Sequence, residues 1–154
     1  DLNKILEEAR ENLSVLIKER GAEITSERLP EVHANRTQVT QLIQNIIINA
    51  IRHSESSPHI NVSAMQIDGK WQISISDNGP GIPKEYQDKI FEPFKRMTLA
   101  REQGLGLGLA ICRRFLQAFQ GTIKAGNRPR GGGPTARGAA VKVETSLCQG
   151  APKP

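Results

Sequence analysis

Three polar side chains share one face of an otherwise apolar helical stretch. Asn45, Asn49 and Arg52 stand at i, i+4 and i+7, which sets Asn49 and Arg52 about 40° and about 20° to either side of Asn45 around a helix axis. Two carboxamides and a guanidinium on one stripe can hold a hydrated magnesium ion and phosphate oxygens. The same stripe also fits a plain solvated face, although asparagine is a mediocre helix former and two of them mid-helix favour a purpose. Asp77 continues the strand phase of Trp71, Ile73 and Ile75. A carboxylate ending an apolar stripe is costly unless it accepts hydrogen bonds, and a base with an exocyclic amine would supply the donor. An Asx turn is the simpler alternative. Next comes Asn78-Gly79-Pro80-Gly81-Ile82-Pro83, where glycines let a ligand approach the backbone. Finally, Gly104-Leu105-Gly106-Leu107-Gly108-Leu109 opens a helical pattern. Alternate glycines expose successive amides, and a helix N-terminus favours phosphate. This run is neither a P-loop nor a G-x-G-x-x-G turn.

The elements that must position these groups are legible in the periodicity. Leu2, Ile5, Leu6, Ala9, Leu13, Leu16 and Ile17 predict one amphipathic helix over residues 2–19, stopped by Gly21. Short strands are expected over 22–29 and 31–34, around Pro30. Val39, Leu42, Ile43, Ile46, Ile47 and Ala50 predict a helix from Arg36 to His53. Ile60, Val62 and Ala64 alternate, as do Trp71, Ile73 and Ile75, so Gly69 should turn a hairpin. A short helix is expected near 84–90. Cys112, Phe115, Leu116 and Phe119 line a last helix closed by Gly121, and strands follow at about 122–126 and 139–147. These elements predict an α/β (α+β) two-layer sandwich: a mixed, largely antiparallel sheet of about five strands on about three helices.

Length favours one domain over residues 1–154, with its core in about 1–147. A hydrophobic content of 37% with 24% charged residues is ordinary for a globular domain. No run of about 18 apolar residues is present, so membrane contact by this domain is not expected. The net charge of +5 lies in the tail from Gly121, which holds six basic residues against Glu144 and no aromatic side chain. Nucleic-acid readers combine an organised basic face with stacking aromatics, so no nucleic-acid partner is expected. Cys112 and Cys148 lack metal-site spacing. Cys112 falls in an apolar pattern typical of a core thiol, and a reducing cytoplasm is the expected compartment.

The order of the motifs narrows the reading further. Asn45 to His53, Asp77 to Ile82, Phe91-Glu92-Pro93-Phe94-Lys95-Arg96, and Gly104 to Leu109 resemble the N, first glycine, F and second glycine boxes of sensor histidine kinases. That group is a branch of the gyrase, heat-shock chaperone, histidine kinase and mismatch-repair ATPase superfamily, with a Bergerat-type ATP-binding fold. The opening Asp1-Leu2-Asn3 and the Phe94-Lys95-Arg96-Met97 stretch resemble phytochrome-type members. The resemblance implies ATP and Mg2+ as cofactors. It makes Asn49 the metal ligand, with Asn45 beside it, and Arg52 a phosphate contact in place of the usual lysine; His53 closes that box. Asp77 would accept from the adenine amine, with Gly79, Gly81 and Ile82 shaping the pocket. Phe91 and Phe94 would anchor a lid over about 95–104, Arg96 would touch phosphate, and Gly104, Leu105, Gly106, Leu107, Gly108 and Leu109 would hold the polyphosphate.

One position bears on reaction type. Hydrolytic members of the superfamily carry a glutamate four residues before the metal asparagine. Here that residue is Asn45, which cannot take a proton from water at neutral pH. The resemblance implies transfer of the γ-phosphate to a histidine on an upstream dimerisation helix, then to a response regulator. His33-Ala34, His53-Ser54 and His59-Ile60 lack the acidic neighbour of such an acceptor, which places it outside this chain, in a parent protein that could be membrane-anchored elsewhere. Leu105 stands where the family has a small or hydroxylated residue, and Ala139 and Ala140 stand where it commonly has Ser or Thr, which bears on affinity. An anti-sigma-type serine kinase and a degenerate nucleotide-sensing module are the alternatives.

Overall fold

The structure, a computed structural model, describes residues 1–54, 57–79, 81, 84–87, 89–91, 108–118, 121–127 and 139–145. Asp1 caps the first helix, α1 (Leu2–Asn12), by accepting the Asn3 amide at 2.9 Å, and α1 buries Leu2, Ile5, Leu6 and Ala9. The single helix expected over 2–19 is in fact two. Leu13 leaves the helical well at φ −99° and ψ 8°, between Asn12 and Ser14, polar residues that compete for backbone hydrogen bonds. The following α2 (Ser14–Arg20) has no fully buried residue, and Gly21 ends it in the left-handed conformation at φ 59°.

Strand β1 is short (Glu23–Ser26), and no strand forms at 31–34. The preceding backbone is satisfied by α1 instead: Leu29 N–H donates to Asn3 Oδ1, Asn3 Nδ2 donates to Leu29 O, and Leu2 N–H donates to Pro30 O. Asn35 then caps α3 (Arg36–Arg52) by accepting the Gln38 amide. The apolar stripe of α3 is buried as expected, from Leu42 to Ile51. Strands β2 (His59–Ile67) and β3 (Lys70–Asp77) form the expected hairpin, turned by Asp68 and Gly69 at φ 49° and 76°, the two positive values a tight primed turn requires.

Two 3-10 turns, Lys84–Tyr86 and Lys89–Phe91, stand where one short helix was expected. The last helix, α4 (Gly108–Ala118), is closed by the Gly121 N–H bond to Leu116 O at 2.7 Å. Strands β4 (Thr122–Asn127) and β5 (Ala139–Thr145) complete a five-stranded sheet of order β1-β2-β3-β5-β4, parallel only between β1 and β2. Ile60, Val62, Ile73, Ile75 and Ile123 of the sheet share one core with α1, α3 and α4. The outward positions of the hairpin are polar, pairing Asn61 with Ser76 and Ser63 with Ser74. This is the expected two-layer sandwich, with four α-helices among the described residues because the first is divided.

Candidate functional site

The polar stripe of α3 is present but its members are engaged differently. Asn49 Nδ2 donates to the Asn45 carbonyl at 2.9 Å. A carbonyl partner requires the nitrogen there, so the Asn49 side-chain oxygen is the end left to act as a ligand. The Asn45 side chain lies near the Cys112 thiol of α4 and works against its upward pKa shift. Arg52 and His53 are exposed at the helix end, where His53 N–H closes the last turn on Asn49 O. Asn45 and Asn49 are thus linked through one backbone carbonyl rather than pointing side by side.

Asp77 pairs across the hairpin with Ile60, which is 1% exposed, so its carboxylate sits on the core-facing side as its phase predicted. Asp77 Oδ1 accepts the Gly79 N–H at 2.8 Å, so the Asx turn is real and coexists with any role towards a ligand. Gly79 is buried, and a Cβ there would lie 2.9 Å from Asp77 Oδ1 and 3.6 Å from the His53 carbonyl. The Asp77 turn therefore packs directly against the end of α3. Gly81 has φ 84°, and a Cβ there would meet Asn127 Oδ1 at 2.8 Å. Asn78 is a structural tie: its Oδ1 accepts from His59 N–H, and its Nδ2 donates to Ser57 O.

Phe91 is buried, with the Arg113 guanidinium 5.9 Å from its ring centroid, a cation–π distance that joins this turn to α4. Gly108 and Leu109 form the first turn of α4, while Ile82, Phe94, Arg96, Gly104, Leu105, Gly106 and Leu107 lie outside the described residues. Cys112 and Asn127, which touch Asn45 and Gly81, were not identified as site neighbours by the sequence. Both contacts join residues far apart in the chain, and no local pattern carries that information.

The donor set fits a magnesium nucleotide. Among the described residues no cluster of three or more His, Cys, Asp or Glu side chains could hold a metal alone. A cation beside Asn49 would take further ligands from phosphate and water, as magnesium commonly does. A separate open cleft between α1 and the start of α3, lined by Glu7, Glu8, Glu11, Lys4 and Arg36 among others, is net acidic and ill-suited to polyphosphate. The three histidines do not resemble a phosphoacceptor: His33 and His53 are exposed outside helices, and His59 Nδ1 lies 3.1 Å from Glu23 Oε2.

Burial pushes the Cys112 thiol up from 9.0 to about 12, partly offset by the Asn45 hydrogen bond. The unfolded chain would release this proton near pH 9, while the folded chain holds it until about 12. Stability conferred by the protonated thiol is therefore present below pH 9 and lost as pH rises towards 12. Chemical unfolding followed between pH 8 and 11 should show a flatter alkaline decline for Cys112→Val than for the wild type, and parallel curves would contradict the assignment.

Residues 34–146 match the family described as Histidine kinase-, DNA gyrase B-, and HSP90-like ATPase. Cyanobacterial phytochrome A of Nostoc sp. (strain PCC 7120) is 42% identical over 125 residues, covering 80% of this chain and 16% of the relative. The chain spans only between 16% and 28% of the length of its first curated relatives. The nucleotide-free catalytic domain of the histidine kinase ThkA superposes with a TM-score of 0.79 at 28% identity, covering 96% of this chain and 93% of that one. Full-length ShkA in complex with AMPPNP superposes with a TM-score of 0.77 at 29% identity, covering 98% of this chain and 31% of that one.

Proposed function

Because this chain belongs to the histidine kinase-, DNA gyrase B- and HSP90-like ATPase family, we propose that it binds Mg-ATP and donates the γ-phosphate to a histidine on a dimerisation helix elsewhere in its parent protein. One observation carries this reading. The Asp77-Gly79 turn packs against the C-terminal end of the same helix that presents Asn49 and Arg52, so base-reading and phosphate-reading groups meet at one edge of the fold.

Asp77 would accept from the adenine amine while its other bond to Gly79 fixes the carboxylate. The missing side chains at Gly79 and Gly81 let Asp77, the His53 carbonyl and Asn127 close in on these turns, and the base would lie beside them and Ile82. Asn49 would offer its side-chain oxygen to the cation, and Arg52 would draw the phosphates to the exposed end of α3. Gly106 to Leu109 would present helix-terminal amides to the polyphosphate, assisted by Gly104 and Leu105, with Phe94 and Arg96 contributing from the intervening segment. Bound magnesium would supply charge neutralisation on the phosphates. Asn45 has no basic atom, so it would leave water unactivated. A neutral imidazole brought by the acceptor helix is itself nucleophilic at pH 7, and the phosphohistidine would then supply a response regulator. The parent protein would act as a homodimer through its acceptor helices, with this domain on the cytoplasmic side.

Calorimetry with a non-hydrolysable ATP analogue tests the metal role. Magnesium should improve affinity by about tenfold, or about 1.4 kcal/mol. Equal affinity in magnesium and in chelator would contradict the role given to Asn49.

A further inference from the structure

The turn that follows β3 is gripped from two strands. Asp77 ends β3 and accepts the Gly79 N–H at 2.8 Å. Asn127 ends β4, and its carboxamide oxygen lies 2.8 Å from the point that a Cβ on Gly81 would occupy. Gly81 has φ 84°, a left-handed value that glycine adopts without steric cost, and its bare Cα lets the Asn127 side chain come this close. The two gripping residues are matched in the sheet. Ser76 pairs with Ala140 and Asn127 with Ala139, so one further step of the same register sets Asp77 and Asn127 on either side of Ala139. Cross-strand partners share a face. Asn127 continues the phase of Ile123 and Ala125, which pack into the core, as Asp77 continues that of Ile73 and Ile75. Two polar side chains thus end two apolar stripes on one face, and each covers one glycine of the turn.

We infer that Asn127 is a positioning residue for the nucleotide base: it holds Gly81, and with it the far half of the turn, where the turn meets adenine. This role rests on Asp77 being the base reader. Gly79 and Gly81 are of the residue type that loses most backbone freedom on ordering, and a turn ordered only on binding would weaken affinity by that loss. Contacts at both glycines, one from each strand, order the turn before the ligand arrives.

The test compares Asn127→Ala, which removes the carboxamide, with Asn127→Asp, which keeps an oxygen of the same reach over Gly81. Affinities for non-hydrolysable ATP and GTP analogues are measured with magnesium, and for the ATP analogue also with chelator. Asn127→Ala should bind the ATP analogue about tenfold more weakly, the scale of fixing one backbone residue. Its preference for ATP over GTP should shrink by the same factor, while the gain from magnesium stays as in the wild type. Asn127→Asp should recover most of the loss. Unchanged affinity in Asn127→Ala, or an aspartate variant no better than alanine, overturns the positioning role alone. So does a loss shared equally by ATP and GTP, or one that removes the magnesium gain, since either marks a general change of fold. A wild-type chain that does not bind the ATP analogue, or does not prefer it to GTP, overturns the reading of Asp77 and this role with it. Should the alanine variant fail to fold, the nucleotide-free wild type decides by NMR relaxation. A Gly81 N–H as ordered as those of β3 supports the grip, and an order parameter below about 0.6 overturns it.

Discussion

Asp77→Asn should lower affinity for ATP analogues by on the order of a hundredfold while shifting the melting temperature by no more than about 4 °C. The asymmetry comes from the two ends of one side chain. The Gly79 N–H needs an acceptor at 2.8 Å, and an asparagine oxygen provides one, so the turn survives. The amide nitrogen then replaces the oxygen proposed to face the adenine amine, setting donor against donor. Losing a hydrogen bond to a charged acceptor costs about 1.5–3 kcal/mol, and the facing donors add to it. Guanine presents an acceptor at the equivalent position, so the preference for ATP over GTP should shrink. Asp77→Ala removes the acceptor from Gly79 as well and should be less stable than the asparagine variant by about 1 kcal/mol. Thermal unfolding and nucleotide titration on the three proteins separate these effects. If Asp77→Asn unfolds readily yet binds ATP normally once refolded, Asp77 is a structural residue only.

Asn49→Ala should reduce phosphoryl transfer by about a thousandfold, corresponding to about 4 kcal/mol of lost transition-state stabilisation. The substitution removes the side-chain oxygen proposed to face the cation at this point of α3. Its effect on folding should be small: Asn49 is half-buried, its side chain donates to a backbone carbonyl one turn earlier, and alanine is the better helix former. Circular dichroism checks the fold, and single-turnover transfer from labelled ATP checks the rate. Asn49→Asp keeps an oxygen but sets it against the Asn45 carbonyl, so it should recover part of the rate only at raised magnesium. Wild-type transfer by Asn49→Ala would remove the metal role from this residue.

The fold was legible wherever one strong period ran uninterrupted. The stripe of α3 and the alternation of the hairpin both specify a buried face, and the structure places both as read. The failures lie where local pattern yields to tertiary bonding. The apolar stripe over 2–19 ran on past Leu13, yet the backbone breaks there and Val15 is 69% exposed. The strand expected over 22–29 stops at Ser26, and the Leu29 and Pro30 backbone groups bond to Asn3 and Leu2 of α1 instead; none forms at 31–34. Residue types and spacing singled out Asn49, Asp77 and Gly79 as candidates. They did not reveal that Asp77 already accepts from Gly79, nor that Asn45 faces a thiol 67 positions away in the chain.

Labelled ATP decides most directly whether this site transfers phosphate to histidine or spends it on water. The chain is incubated with γ-labelled ATP and magnesium, alone and with the acceptor-bearing helical domain of its parent protein, and label is followed on protein and as free phosphate. Alone, the chain should release phosphate very slowly, because no carboxylate occupies position 45 to activate water. With the acceptor domain, acid-labile and alkali-stable label should appear on a histidine of that domain and should depend on Asn49. Rapid phosphate release by the chain alone, abolished by Asn49→Ala, together with an unlabelled acceptor, would contradict the kinase reading and identify an ATP-driven switch instead.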